Sequence, residues 1–118
     1  MNNKKLGTAF ERQVCETLKK DGYWVHFIAP DSTGSQPFDI IALKNGMAIA
    51  IECKTLDKSK KYFSIDRIEE NQRMAFERWL ACGNAEPLIF VEYKGSIEII
   101  GWNELKEKEK IEMKHYKE

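Results

Sequence analysis

The dipeptide Asn45-Gly46, set between the apolar-rich runs Phe38–Leu43 and Met47–Thr55, constrains this chain more than any other feature. A two-residue type I′ turn needs φ > 0 at both central positions, and Asn-Gly meets that need, so the flanking runs are expected to form an antiparallel hairpin. The turn also sets the register. Lys44 faces Met47, and counting outward places Asp39 opposite Glu52. Two carboxylates opposed across a ladder repel, and a fold gains nothing structural from that. A divalent cation between them turns the repulsion into a binding site. Lys54 lies two residues beyond Glu52 and therefore projects from the same face of its strand. An acid pair with an ammonium beside it suits metal-assisted phosphodiester hydrolysis.

The separate readings of these residues are blander. Asp39 alone is a strand-start residue, Glu52 alone a solvent-facing one, and Lys54 alone a solvated strand end or half of an ordinary Lys–Glu pair. Glu52 resists its bland reading, because it sits inside an apolar run where an unpaired carboxylate is expensive.

With 118 residues the chain has room for one domain with one hydrophobic core. No apolar run reaches membrane-spanning length, and Met1-Asn2-Asn3-Lys4-Lys5 does not open a signal peptide, so a cytoplasmic location and no membrane association are expected. Cys15, Cys53 and Cys82 are an odd number without a Cys-x-x-Cys pair, which argues for reduced, mostly buried thiols rather than disulfides or zinc. Cys53 should point into the core, away from Glu52 and Lys54. The formal net charge is zero, a mild argument against nucleic-acid binding. The distribution is uneven, however: Lys54 to Arg67 holds five basic residues and two acidic ones. Carboxylates gathered at a metal site also lower the net charge without opposing an anionic partner once the ion is present.

Leu6, Phe10, Val14 and Leu18 recur every four positions and predict a first helix to Lys20, ended at Asp21-Gly22. Tyr23–Ile28 reads as a strand and Ala29–Gln36 as a polar loop. The hairpin follows, its second strand apolar on both faces until Glu52 and therefore central. Leu56–Phe63 reads as a lysine-rich connection. Ser64 is placed as the cap of a second long helix reaching Cys82, with Ile65, Ile68, Ala75, Phe76, Trp79 and Leu80 as its apolar stripe. Two strands, Leu88–Tyr93 and Ile97–Ile100, complete the pattern, and Trp102 opens a short helix. The charged stretch from Glu104 reads as a solvated helix or frayed end. This order predicts an α/β fold with a mixed central sheet flanked by helices.

With Glu11 on the first helix, Asp39, and Glu52-Cys53-Lys54, the α-β-β-β-α-β-β order resembles the PD-(D/E)xK nuclease superfamily and its restriction-endonuclease-like core. Within it, the chain is similar to small Holliday junction resolvases of the archaeal and RecU types. Gly7-Thr8-Ala9-Phe10-Glu11 resembles the opening helix of the former, and Phe63-Ser64-Ile65 through Gln72 the second-helix region of the latter. The resemblance implies a single nuclease domain over residues 1–103, with 104–118 as a charged C-terminal helix or tail. It also implies a Mg2+-dependent endonuclease, with Mn2+ as substitute, acting on four-way DNA junctions as a homodimer.

The resemblance assigns metal binding to Asp39, Glu52, the Cys53 backbone carbonyl and Glu11, the last directly or through water. Lys54 would position or deprotonate the attacking water, or stabilise charge on the phosphate. Glu11 is otherwise a surface glutamate of an amphipathic helix. Gln72 falls on the apolar face of the second helix, where relatives carry a glutamine against the active-site strand. The tyrosine that related nucleases place four residues later is Phe76 here, and a plain structural hydrogen bond suits Gln72 equally. Ser32 and Ser35 are equal candidates for the serine near the scissile phosphate. Lys58, Lys60, Lys61 and Arg67 form a candidate DNA-contacting edge, with Tyr62 and Phe63 beside them; the alternative is a solvated loop. Proline usually precedes the Asp directly, and here Phe38 intervenes. Rival readings are another repair or restriction-like nuclease on the same fold, a non-catalytic DNA-binding module, and an ordinary metabolic α/β protein.

Overall fold

The computed structural model describes residues 8–29 and 36–114. The loop serines Ser32 and Ser35 lie outside these residues. Helix α1 (Ala9–Lys20) begins after Thr8, whose side chain accepts the Glu11 N–H while Glu11 returns the bond to the Thr8 N–H. This reciprocal cap satisfies two of the free donors at the helix start and sets its first residue. Strand β1 (Trp24–Phe27) leads to the hairpin of β2 (Ile40–Lys44) and β3 (Met47–Thr55). The turn is the one the sequence predicts: Asn45 and Gly46 have φ of 55° and 77°, and Lys44 pairs with Met47.

Next come β4 (Tyr62–Ser64), a 3-10 turn (Ile65–Arg67) and α2 (Glu70–Ala81). The chain continues through β5 (Leu88–Tyr93), β6 (Ser96–Gly101), α3 (Trp102–Lys108) and β7 (Lys110–Glu112). The five-stranded sheet runs β1-β2-β3-β5-β6, so β3 is central. Among the described residues only β3 and β5 pair in parallel, and α2 lies in the crossover between them. The rest of the sheet is antiparallel. The mixed sheet flanked by helices is the fold class the sequence predicts.

Alternation along β3 divides its side chains between two apolar layers. Ile51 and Cys53 join Ile40 and Ala42 against Phe10, Val14 and Leu18 of α1. Ala50 joins Ile89, Val91, Phe76 and Trp102 on the other side. Phe76 is fully buried, edge-on to Trp102 with ring centroids 5.1 Å apart. Burying a side chain of this kind contributes about 1.5–3 kcal/mol.

Two expectations change. The second helix starts at Glu70, not at Ser64. Ile68 is extended (φ −99°, ψ 116°), and Ser64 caps only the 3-10 turn through the Asp66 N–H. Phe63 and Ile68 are both fully buried, and the turn lets both reach the core. Arg73 braces this turn, donating to Ile68 O at 2.7 Å and to Ile65 O at 3.0 Å, the latter also accepting the Ile68 N–H.

Residues 104–114 are not a solvated appendage. Leu105 and Met113 are buried in the main core, and β7 pairs with β4 in a separate two-stranded ribbon. The junction into α3 is tight. A Cβ on Gly101 would come within 2.6 Å of the Glu86 carboxylate, which accepts the Asn103 N–H at 2.7 Å.

Candidate active site

Asp39 sits just before β2 and grips β3 on both sides of Glu52. Its N–H donates to Ile51 O at 3.1 Å, and its Oδ2 accepts the Cys53 N–H at 2.8 Å. Glu52 lies between those two anchor points, so the acids meet where the turn register places them. Both are buried, at 5% and 3% exposure. Glu52 Oε2 is held from two sides: Gln72 Nε2 donates to it at 2.8 Å, and Lys54 Nζ stands 3.4 Å away. The other oxygen, Oε1, is buried without a hydrogen-bond partner among the described residues.

The cost of this arrangement is electrostatic. Burial, then the charge of Asp39, push the Glu52 carboxyl up to about 8 against the pull of Lys54 and Gln72. Burial also pushes Asp39 up to about 6, despite the Cys53 N–H bond; Glu11 adds to the rise, and Lys54 opposes it. Two acids held this way cannot both ionise cheaply without an added positive charge.

That is the test of fit for a divalent cation, and the residues pass it. The donors are hard carboxylate oxygens, one of them buried and unpartnered, a set that suits a hard divalent cation. Gln72 has a defined orientation as well. Its Oε1 accepts the Glu69 N–H at 3.4 Å, which leaves Nε2 as the group facing Glu52. The Cys53 side chain packs into the α1 layer, away from Glu52 as expected, and burial raises its thiol pKa.

Glu11 stands apart from this cluster. Its Oε1 accepts the Thr8 N–H at 2.8 Å, and it reaches Asp39 only as a nearby charge. Among the described residues no three His, Cys, Asp or Glu side chains gather at metal-holding distance. Arg67 is brought beside the site, donating to Thr55 O at 3.0 Å one residue past Lys54. Lys58, Lys60 and Lys61 are exposed on the connection between β3 and β4. Two supports were not anticipated from the sequence: the Glu69 N–H that orients Gln72, and Arg73, which holds the turn before α2. The Glu69-x-x-Gln72 spacing resembles a helix start and was a usable signal; Arg73 left none.

The mixed sheet thus carries a buried acid pair, Glu52 on its central strand and Asp39 just before the neighbouring one, with Lys54 beside Glu52. The sequence matches the model of the archaeal Holliday junction resolvase (Hjc) family over residues 2–118, and the chain belongs to that family. A curated relative, the crossover junction endodeoxyribonuclease Hjc of Methanocaldococcus jannaschii, is 38% identical over 66 residues. That match covers 56% of this chain and 47% of the relative, so the chain spans about half of the relative's length. The solved structure of Archaeoglobus fulgidus Hjc, described as a Holliday junction resolvase, matches with a TM-score of 0.65 at 22% identity. It covers 89% of this chain and 85% of that one, and shows the shared fold. Of the two resolvase types the sequence resembles, the family match selects the archaeal one. No helix among the described residues is long and apolar enough to cross a membrane.

Proposed function

We propose that this chain is a metal-dependent endodeoxyribonuclease that resolves four-way DNA junctions by paired, symmetric phosphodiester hydrolysis. One observation carries the reading: Glu52 is buried with Oε2 held by Gln72 and Lys54, while its Oε1 is buried without a hydrogen-bond partner among the described residues. Asp39 and Glu52 hold the cation, with the Cys53 carbonyl completing the protein ligands and Glu11 acting through water. Mg2+ suits these hard oxygens, and Mn2+ substitutes. When bound, the ion supplies activation of water and neutralisation of charge at the phosphate.

The chain's own groups do the rest. Gln72 keeps the Glu52 carboxylate from rotating. Lys54 places a positive charge next to Glu52, where it orients the attacking water or stabilises the phosphate oxygens in the transition state. Lys58, Lys60, Lys61 and Arg67 provide phosphate contacts along one edge, and Ser32 and Ser35 belong to the segment leading to Asp39. A junction presents two equivalent strands, so paired cuts call for two copies of the site related by a two-fold axis, that is, a homodimer. The protein would act in the cytoplasm.

The test is cleavage of a synthetic immobile junction by wild type, Glu52→Gln and Lys54→Ala. Wild type is expected to make symmetric paired nicks with magnesium. Both variants should keep junction binding and lose cleavage by about 10²- to 10⁴-fold. Equal cutting of junction and linear duplex favours a different nuclease on this fold. Binding without cutting by wild type, in either metal, favours a non-catalytic module.

A further inference from the structure

The ribbon of β4 and β7 lies outside the acid site but is bolted to it. Arg67 ties the turn after β4 to Thr55 O, and its guanidinium lies 5.4 Å from the Phe63 ring centroid. The Tyr93 hydroxyl donates to Lys60 O, and the Met113 N–H donates to Lys61 O at 2.8 Å. The ribbon and the connection before it are thus fixed to the end of the strand that carries Glu52 and Lys54.

Phe63 and Ile111 turn inward from the ribbon, and Tyr62 and Lys110 turn outward. Tyr62 keeps 44% exposure, with Lys110 Nζ 4.7 Å from its ring centroid. A half-exposed aromatic adds little to a core, and here the Lys110 ammonium lies over its ring. Glu112 lies opposite Tyr62. Asp57 bonds Ser59 and Asp66 pairs with Arg73, while Glu109, directly before Lys110, is exposed.

We infer that the outer face of this ribbon engages the DNA strand at the branch point, with Tyr62 stacking on a base and Lys110 holding its phosphates. This rests on the junction-nuclease reading above and names the surface that selects the branched substrate. Inside a continuous duplex each base face is covered by its neighbours. Where a protein unstacks the arms of a four-way branch from one another, the stack is interrupted and a base face opens to an aromatic ring. Stacking tolerates any base, whereas lysine–phosphate contacts strengthen binding to all DNA alike. Tyr62 therefore supplies structural selectivity, and Lys110 supplies affinity.

The experiment compares wild type, Tyr62→Ala, Tyr62→Phe and Lys110→Ala in binding an immobile junction and a linear duplex of equal length. Calcium replaces magnesium so that no cutting occurs, and 2-aminopurine at the branch reports stacking. Tyr62→Ala should weaken junction binding about tenfold, leave duplex binding within about twofold, and abolish the 2-aminopurine response. Tyr62→Phe should behave as wild type, and Lys110→Ala should weaken both substrates. Thermal melting of each variant verifies folding, which an exposed position should preserve. If Tyr62→Ala leaves junction preference intact while wild type cuts junctions, this inference alone falls. If wild type shows no junction preference, the functional reading falls and takes this inference with it.

Discussion

Gln72 and Glu52 face each other with Nε2 2.8 Å from Oε2, and the orientation of that amide is set at its other end by the Glu69 N–H. A helix start therefore fixes a carboxylate on the central strand. Gln72→Ala should leave junction binding unchanged and lower cleavage about 10- to 100-fold, with a higher metal concentration needed for half-maximal rate. Metal titrations of the cleavage rate check this; an unchanged metal requirement would reduce Gln72 to a structural hydrogen bond.

Metal-free protein should become less stable as pH rises. The Glu52 carboxyl titrates from 4.5 in the unfolded chain to about 8 in the fold, and Asp39 from 3.8 to about 6. The folded state thus holds protons more tightly. The stability this provides is fully present below pH about 4 and is lost as pH climbs through the two folded values. Melting in EDTA should show Tm falling between pH 5 and 8, with magnesium restoring more at pH 8 than at pH 5. Glu52→Gln should flatten the metal-free profile. A rising profile for wild type would contradict the buried acid pair.

Much of this site was legible from one turn. Asn45-Gly46 fixed the β2–β3 register, and the register alone brings Asp39 and Glu52 together. The central place of β3 also followed from its two apolar faces. The start of α2 was not legible, because the helical spacing of Ile65 and Ile68 is mimicked by a 3-10 turn that Arg73 braces from the following helix. The ribbon was missed for another reason: β4 and β7 are three residues each, and charges flank Ile111 and Met113. Yet Lys110-Ile111-Glu112-Met113 does alternate with the period of a strand, and that was the available signal.

Met113 tests the reassignment of the C-terminal stretch. It is 7% exposed in the main core, so Met113→Ala should cost about 2–5 kcal/mol in urea unfolding. A solvated tail would show a change near zero.

The lysine connection should act through phosphates. Lys60→Ala and Lys61→Ala are each expected to weaken junction and duplex binding together, and to reduce the slope of log K against log salt by about 0.9 per residue removed. Binding isotherms at several salt concentrations measure this, and an unchanged slope would return these side chains to the role of a solvated loop.

The most direct measurement is manganese binding to the full chain, followed by electron paramagnetic resonance at neutral pH. Wild type should hold one ion per chain in a site that magnesium displaces, and Asp39→Asn and Glu52→Gln should each lose it while remaining folded. Undiminished binding in both variants would contradict a cation shared by Asp39 and Glu52.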